Sequence, residues 1–230
     1  TRKESSAASD VYKRQTLYLE GCTIDNCSGN EGGAMCLEGP INSTITDYRG
    51  FDNNLNSIEK QSRISNCTGD EAGAIYSQAS QVSILNKTLI NKCGSSKAVI
   101  VFADSNINNG KKYNNKDLTI NDSFIQDCDG CAIYMHNGDI VLKKTSIKNC
   151  RANGSYNSAI CVKGWADIDN CIFENNGGKE AINSGAIYIV DEYDRDCRLQ
   201  IDNSKFIGNI GGLLGAIASD GVELEIKNSS

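Results

Sequence analysis

Seven times along this chain a short apolar strand ends in a corner of the form Ile/Phe-x-x-Cys/Asn: Ile24/Cys27, Ile64/Cys67, Ile90/Cys93, Ile125/Cys128, Ile147/Cys150, Phe173/Asn176 and Phe206/Asn209. Five residues upstream of each corner residue the side chain is small, as Cys22, Ser62, Thr88, Ser123, Thr145, Cys171 and Ser204. Residue types that return at fixed distances from a turn mark a unit repeated in space. A unit this short cannot bury its apolar face without copies on either side. The chain must fold as a stack.

The fourth copy shows the plan most fully. Leu118 and Ile120 alternate with polar neighbours, Asn121-Asp122 breaks the direction, and Ser123 and Ile125 alternate again. After a second corner at 127–130 a third strand spans 132–135. The first apolar pair recurs as Leu17/Leu19, Ile140/Leu142, Ala166/Ile168 and Leu199/Ile201. In the second copy the Ile58 region, and in the third Ser83/Leu85, match loosely, so both copies are expected to be distorted. The third strand recurs at 34–37, 74–77, 159–162, 186–189 and 216–219, with 98–101 as a looser copy. Its second residue is large and aliphatic and is placed inside. Alternation then turns Cys36, Tyr76, Tyr134, Cys161, Tyr188 and Ala218 outward, and the preceding alanine is read as keeping that outer face low and smooth.

Successive corners lie 40, 26, 35, 22, 26 and 33 residues apart, a core near 22 residues with insertions at bends. The long insertions, 38–57, 104–116 and 191–198, are read as following the third strand. Helical repeats would show spacings of three and four, and propeller blades a steady period of about 40 or more. The expectation is an all-β, right-handed parallel β-helix (solenoid) of about seven turns of three short strands, its hand following the crossover rule for parallel strands.

Composition narrows the partners. A net charge of -6 without a basic run argues against nucleic acid or an anionic membrane surface. No apolar stretch is long enough to span a bilayer, so no membrane insertion is expected within this segment. A single proline with 22 glycines and abundant Asn points to tight corners with left-handed Gly and Asn. Eleven cysteines and the sequons at Asn26, Asn42, Asn66, Asn86, Asn121, Asn153 and Asn228 favour an oxidising, extracellular or cell-surface location. Residues 5–15 match, codon for codon, the translation of a sequencing-library adapter. Residues 1–15 are therefore set apart, and 16–230 are expected to form one β-helix domain. That domain is read as a fragment of a longer protein, with open strand edges at both ends that make an isolated piece associate.

These turns resemble the repeats of polymorphic outer-membrane proteins, marked by Gly-Gly-Ala-(Ile/Leu/Val) and Phe-x-x-Asn. Gly32-Gly33-Ala34-Met35 carries the first motif; Phe173/Asn176 and Phe206/Asn209 carry the second. The likeness spans about residues 17–230, and Cys takes the Asn place in five turns. It implies a pectin-lyase-like right-handed β-helix and a secreted or surface-displayed adhesive protein.

The candidate chemistry is sparse. The corner column Cys27, Cys67, Cys93, Cys128, Cys150, Asn176 and Asn209 is read as structural, Asn satisfying corner backbone and Cys standing in as a small buried residue, with disulfides between turns as the alternative. No cofactor or metal is expected. Cys128 and Cys131 have C-x-x-C spacing without a second pair. His136, the only histidine, falls in a His-Asn-Gly-Asp turn and is read as solvated. Asp191, Glu192, Asp194 and Asp196 could hold calcium, or form a solvated loop countered by Arg195 and Arg198. The outward Tyr76, Tyr134 and Tyr188 are the candidate ligand contacts, stacking on sugar rings or a protein partner, unless insertions cover them. The expected function is adhesion or interaction, with a cell-surface protein or polysaccharide as partner. The alternative is an extracellular pectin-lyase-like carbohydrate-active enzyme, which would need three or more carboxylates or basic groups facing one groove.

Overall fold

Strands of alternating Ile, Val and Leu, each ended by a residue that accepts a left-handed backbone, can pair only with copies of themselves further along the chain. The computed structural model describes residues 15–37, 41–51, 57–78, 81–103, 117–151, 158–178, 184–191 and 197–230. Among them the fold is all-β without a helix, built from a 15-stranded sheet, a seven-stranded sheet and one hairpin. The two large sheets are parallel, each strand lying beside its counterpart in the next repeat.

The seven-stranded sheet holds the second strand of every repeat. Its register runs Ile24, Ile64, Ile90, Ile125, Ile147, Phe173, Phe206 in a single file. The five central members are 0–1% exposed, and the Phe173 and Phe206 rings stack with centroids 5.0 Å apart. Burying each aliphatic side chain contributes about 1.5–3 kcal/mol before chain entropy is subtracted. In the larger sheet the third strands stack Met35, Ile75, Ile100, Ile133, Ile160, Ile187 and Ile217. The first strands stack Leu19, Ile45, Ile84, Ile120, Leu142, Ile168, Ile201 and Ile226.

The corners follow from backbone conformation. The residue before each member of the corner column has positive φ: Asn26, Asn66, Lys92, Asp127, Asn149, Asn175 and Gly208, from 53° to 61°. Gly21, Asp122, Lys144, Asn170, Asn203 and Asn228 do the same at the first corner. One left-handed residue turns the chain sharply while keeping the next strand in register, and Asn and Asp tolerate it best among residues with a side chain. Lysine at two such positions, Lys92 and Lys144, shows that the stacked backbone overrides local preference.

Four expectations need correction. The second repeat takes its first strand from Ile41–Thr46, so its inserted residues lie within the turn, and the Ile58 region belongs to the antiparallel hairpin of Tyr48–Phe51 with Ser57–Lys60. In the third repeat Val82 and Ile84, not Ser83 and Leu85, enter the column. Two successive left-handed residues, Asn86 and Lys87, absorb the extra residue. In the looser third strand Ile100, not Val99, is in register, after an irregularity that follows Gly94. Finally, Ala74, Ala132, Ala159 and Ala186 pack in the inner core rather than on an outer face. Ala159 and Ala216 each accept two successive N–H groups at the bend into the third strand.

That bend also accounts for the double glycine. A methyl group on Gly33 would lie 2.2 Å from the Gly73 carbonyl oxygen, closer than any side chain can sit. Where the link to the next repeat is short, the third strand runs straight on into the first strand, as in Asp129–Lys143 and Ile160–Asp169. This is why first and third strands share one sheet. Burial requires neighbours on both sides: Ile201 is fully buried, whereas Leu224 and Ile226 of the last strand are 42% and 46% exposed.

Candidate functional site

The corner column forms two chemically different segments. Asn176 accepts a hydrogen bond from the Cys150 N–H at 3.0 Å and donates to the Ile147 carbonyl at 2.8 Å. Asn209 repeats this one repeat on, accepting from the Asn176 N–H at 3.0 Å and donating to the Phe173 carbonyl at 2.9 Å. Each carboxamide thus ties its own rung to the one before it, satisfying groups that burial would otherwise strand. The cysteines do less. Cys67, Cys93, Cys128 and Cys150 point their thiols at the carbonyl two residues back, at 3.1–3.5 Å.

Among the described residues no disulfide joins any of the cysteines. Burial pushes Cys93 up to about 12 and Cys171 up to about 11. A hydrogen bond to Cys128, then burial, hold the proton on Cys150, and burial raises Cys131 well above an ordinary thiol. Buried protonated thiols are poor nucleophiles and poor metal ligands. Among the described residues no cluster of three or more His, Cys, Asp or Glu side chains could hold a metal ion.

The tyrosines lie in one column of the third strands, Cys36, Tyr76, Val101, Tyr134, Cys161, Tyr188, Ala218. They do not form an open platform. Tyr76 and Tyr134 are only 8% and 7% exposed, within a second apolar cluster with Ala72, Ala98, Val101, Cys131 and Cys161; Tyr188 packs half-buried against it. His136 is half-buried and stacked on Tyr134, with ring centroids 6.2 Å apart, rather than solvated in a turn. Of the acidic loop only Asp191 is described, half-buried. Glu192, Asp194 and Asp196 lie outside the described residues.

A different face carries the accessible chemistry. On the outer side of the first strands, Asp139 pairs in register with Trp165, and Val141 with Asp167, which pairs with Gln200. Trp165, the only tryptophan, is 51% exposed. With Arg198 these residues line a groove of about 270 Å³. Arg198 donates to Gln200 Oε1 at 2.5 Å and to Glu225 Oε2 at 3.2 Å, which fixes the guanidinium at the groove edge. Repeat alignment could not find this site, because Trp165 occurs once and its neighbours are ordinary strand-surface residues. The useful signal is a lone tryptophan at an outward strand position between carboxylates. A larger groove of about 600 Å³, lined by Asp127, Asp129, Asn149, Arg151 and Asn175, follows the second corner over the buried Cys128. Its described lining residues include no aromatic side chain.

Comparison with known proteins finds no matching family model, no matching curated protein and no matching solved structure.

Proposed function

We propose that the chain is a right-handed parallel β-helix, secreted or displayed at the cell surface, that serves as an adhesion or interaction module contacting carbohydrate. The observation that carries this reading is the continuity of the inward columns through seven repeats, which leaves rows of outward residues on a paired scaffold. Three ladders joined by left-handed corners support the coil, and right-handed crossovers are the rule for parallel strands. The Gly-Gly-Ala and Phe-x-x-Asn motifs support a relationship to the polymorphic outer-membrane-protein repeats. The seven Asn-x-Ser/Thr sequons support export.

One observation favours a second reading. Asp139, Asp167 and Arg198 place two carboxylates and a basic group on a single groove, the minimum expected of a carbohydrate-active enzyme. Asp139 and Asp167 are one rung and two residues apart, roughly 8 Å between Cα atoms from strand geometry, and inverting glycoside hydrolysis uses carboxyl groups about 6.5–9.5 Å apart. Arg198 is engaged by Glu225 and Gln200, which suits holding a ligand better than moving a proton.

Labelling intact cells that express the full reading frame with antibodies to this segment tests display. Surface signal without permeabilisation is expected; signal only after permeabilisation overturns the proposal. Saccharide binding with no new reducing ends is expected of the module, while steady release of reducing ends assigns the enzyme.

A further inference from the structure

We infer that the groove centred on Trp165 is a saccharide-binding site selective for neutral or amino-bearing hexose chains over uronic-acid chains. The inference deepens the adhesive reading above by giving its contact a place and a ligand class. Three observations converge on it.

The first is the ring. Sugars present a face of C–H bonds that stacks on an indole, and a half-exposed tryptophan on a rigid sheet offers that face at little entropic cost. Trp165 sits within Ile160–Asp169, paired on both sides by neighbouring strands. The second is the polar rim. Carboxylates accept hydrogen bonds from hydroxyl pairs, and an amide both donates and accepts; Asp139, Asp167 and Gln200 put these groups beside the ring. The rung spacing of about 4.8 Å sets Asp139 beside Trp165 and Asp167 between Val141 and Gln200, so a bound chain spans several rungs of polar contacts around one ring.

The third is charge. Asp117 pairs with Asp139 on one side of the groove, and Arg198 pairs with Glu223 on the other. Among the described lining residues the cation is Arg198, which contacts Glu225 at 3.2 Å. A uronate chain would meet these carboxylates with like charge, whereas hydroxyls and ammonium groups meet acceptors. The tyrosine column lacks this combination because Tyr76 and Tyr134 are buried and Tyr188 is half-buried against them.

The test uses the full chain and its own fluorescence. Trp165 is the only indole, so emission reports this groove alone. Chitotetraose, a glucosamine tetramer, cellotetraose and tetragalacturonate are titrated into the protein, with binding measured in parallel by calorimetry. At least one of the first three is expected to shift and quench the emission with saturation, and tetragalacturonate is expected to bind at least tenfold more weakly. Trp165→Ala is expected to weaken binding tenfold or more, and Trp165→Phe to retain most of it, with unchanged circular dichroism in both. Absence of a saturable response to all three up to millimolar concentration, equal or tighter binding of tetragalacturonate, or calorimetric affinity untouched by Trp165→Ala overturns the site. Reducing-end release is followed in the same samples: bound saccharide that is also cleaved keeps the site and overturns the adhesive reading, so the two can fail separately.

Discussion

The corner that follows the second strand is built in two ways within one molecule. From Cys67 to Cys150 a buried thiol occupies the inside of the bend, Cys27 at the start of the column being exposed; at Asn176 and Asn209 a carboxamide does. The backbone is the same, with a left-handed residue immediately before each. The thiol fills space and makes weak contacts with its own strand and, at Cys93 and Cys150, with the preceding rung's Ile64 and Ile125 carbonyls at 3.8 and 4.0 Å, whereas the carboxamide makes full hydrogen bonds to backbone groups of the preceding rung. The comparison separates two functions of an inner corner side chain, filling the bend and tying successive rungs together. Only the asparagine segment ties the rungs with strong hydrogen bonds.

The largest effect should come from the side chain both segments lean on. Phe173→Ala removes a fully buried ring stacked on Phe206 and leaves a cavity beside the Asn209 donor, so it should destabilise by about 3–5 kcal/mol in urea unfolding. A loss below about 1 kcal/mol would mean that the column is not a continuous interior.

Asn176→Ala should follow closely, at about 2–4 kcal/mol, because the Cys150 N–H and the Ile147 carbonyl both lose a buried partner. Hydrogen exchange at the Cys150 amide should rise in this variant more than at amides of the first three corners. Uniform acceleration along the chain would break the distinction between the segments.

Much of this was legible in the sequence because it is local. A positive-φ residue followed by a small inward side chain leaves a pattern four residues long, and all seven corners align on it. The columns of Ile64, Ile125 and Phe173 follow from the same alignment. What escaped depends on distant chain. The hairpin of Tyr48–Phe51 with Ser57–Lys60 sits where counting back from Cys67 expected a first strand, since periodicity does not reveal which bend an insertion occupies. Asn86 and Lys87 share an extra residue that spacing alone assigns to the wrong strand face. Outwardness was readable for Tyr76 and Tyr134, but exposure was not, because alternation says nothing about what packs on the outer side of a strand. Trp165 was missed because a repeat alignment discards whatever is unique.

Alkaline pH should sharpen the contrast between the corner types. Cys93 keeps its proton to about pH 12 in the folded protein against an ordinary thiol value of 9.0. The unfolded chain therefore sheds that proton first as pH rises. The contribution is complete below pH 9 and is lost between pH 9 and 12, by about 1.4 kcal/mol per pH unit. Asparagine does not titrate, so within the corner column the Cys93 part of this alkaline limb comes from the cysteine segment, while the buried Cys171 and Cys131 add to the limb from outside the column and Cys128, lowered by its hydrogen bond with Cys150, opposes it. Unfolding free energies measured from pH 8 to 11 should fall accordingly, and a flat profile would show that the thiols ionise without opening the stack.

The smallest effect at neutral pH is expected from Cys93→Ala. The substitution removes one buried sulfur and contacts of 3.5 Å to the Asn91 carbonyl and 3.8 Å to the Ile64 carbonyl. These weak contacts leave no strong donor stranded, so the loss should be about 1 kcal/mol, well short of Asn176→Ala. Above pH 9 the order should narrow, since the alanine variant has no thiol to ionise at this rung and its stability should decline less steeply than that of the parent chain. Unfolding curves of Cys93→Ala and Asn176→Ala at pH 7 and pH 10.5 make this check. If both variants lose the same free energy at pH 7, the carboxamide contributes no more than the thiol, and the corner acts by filling space alone.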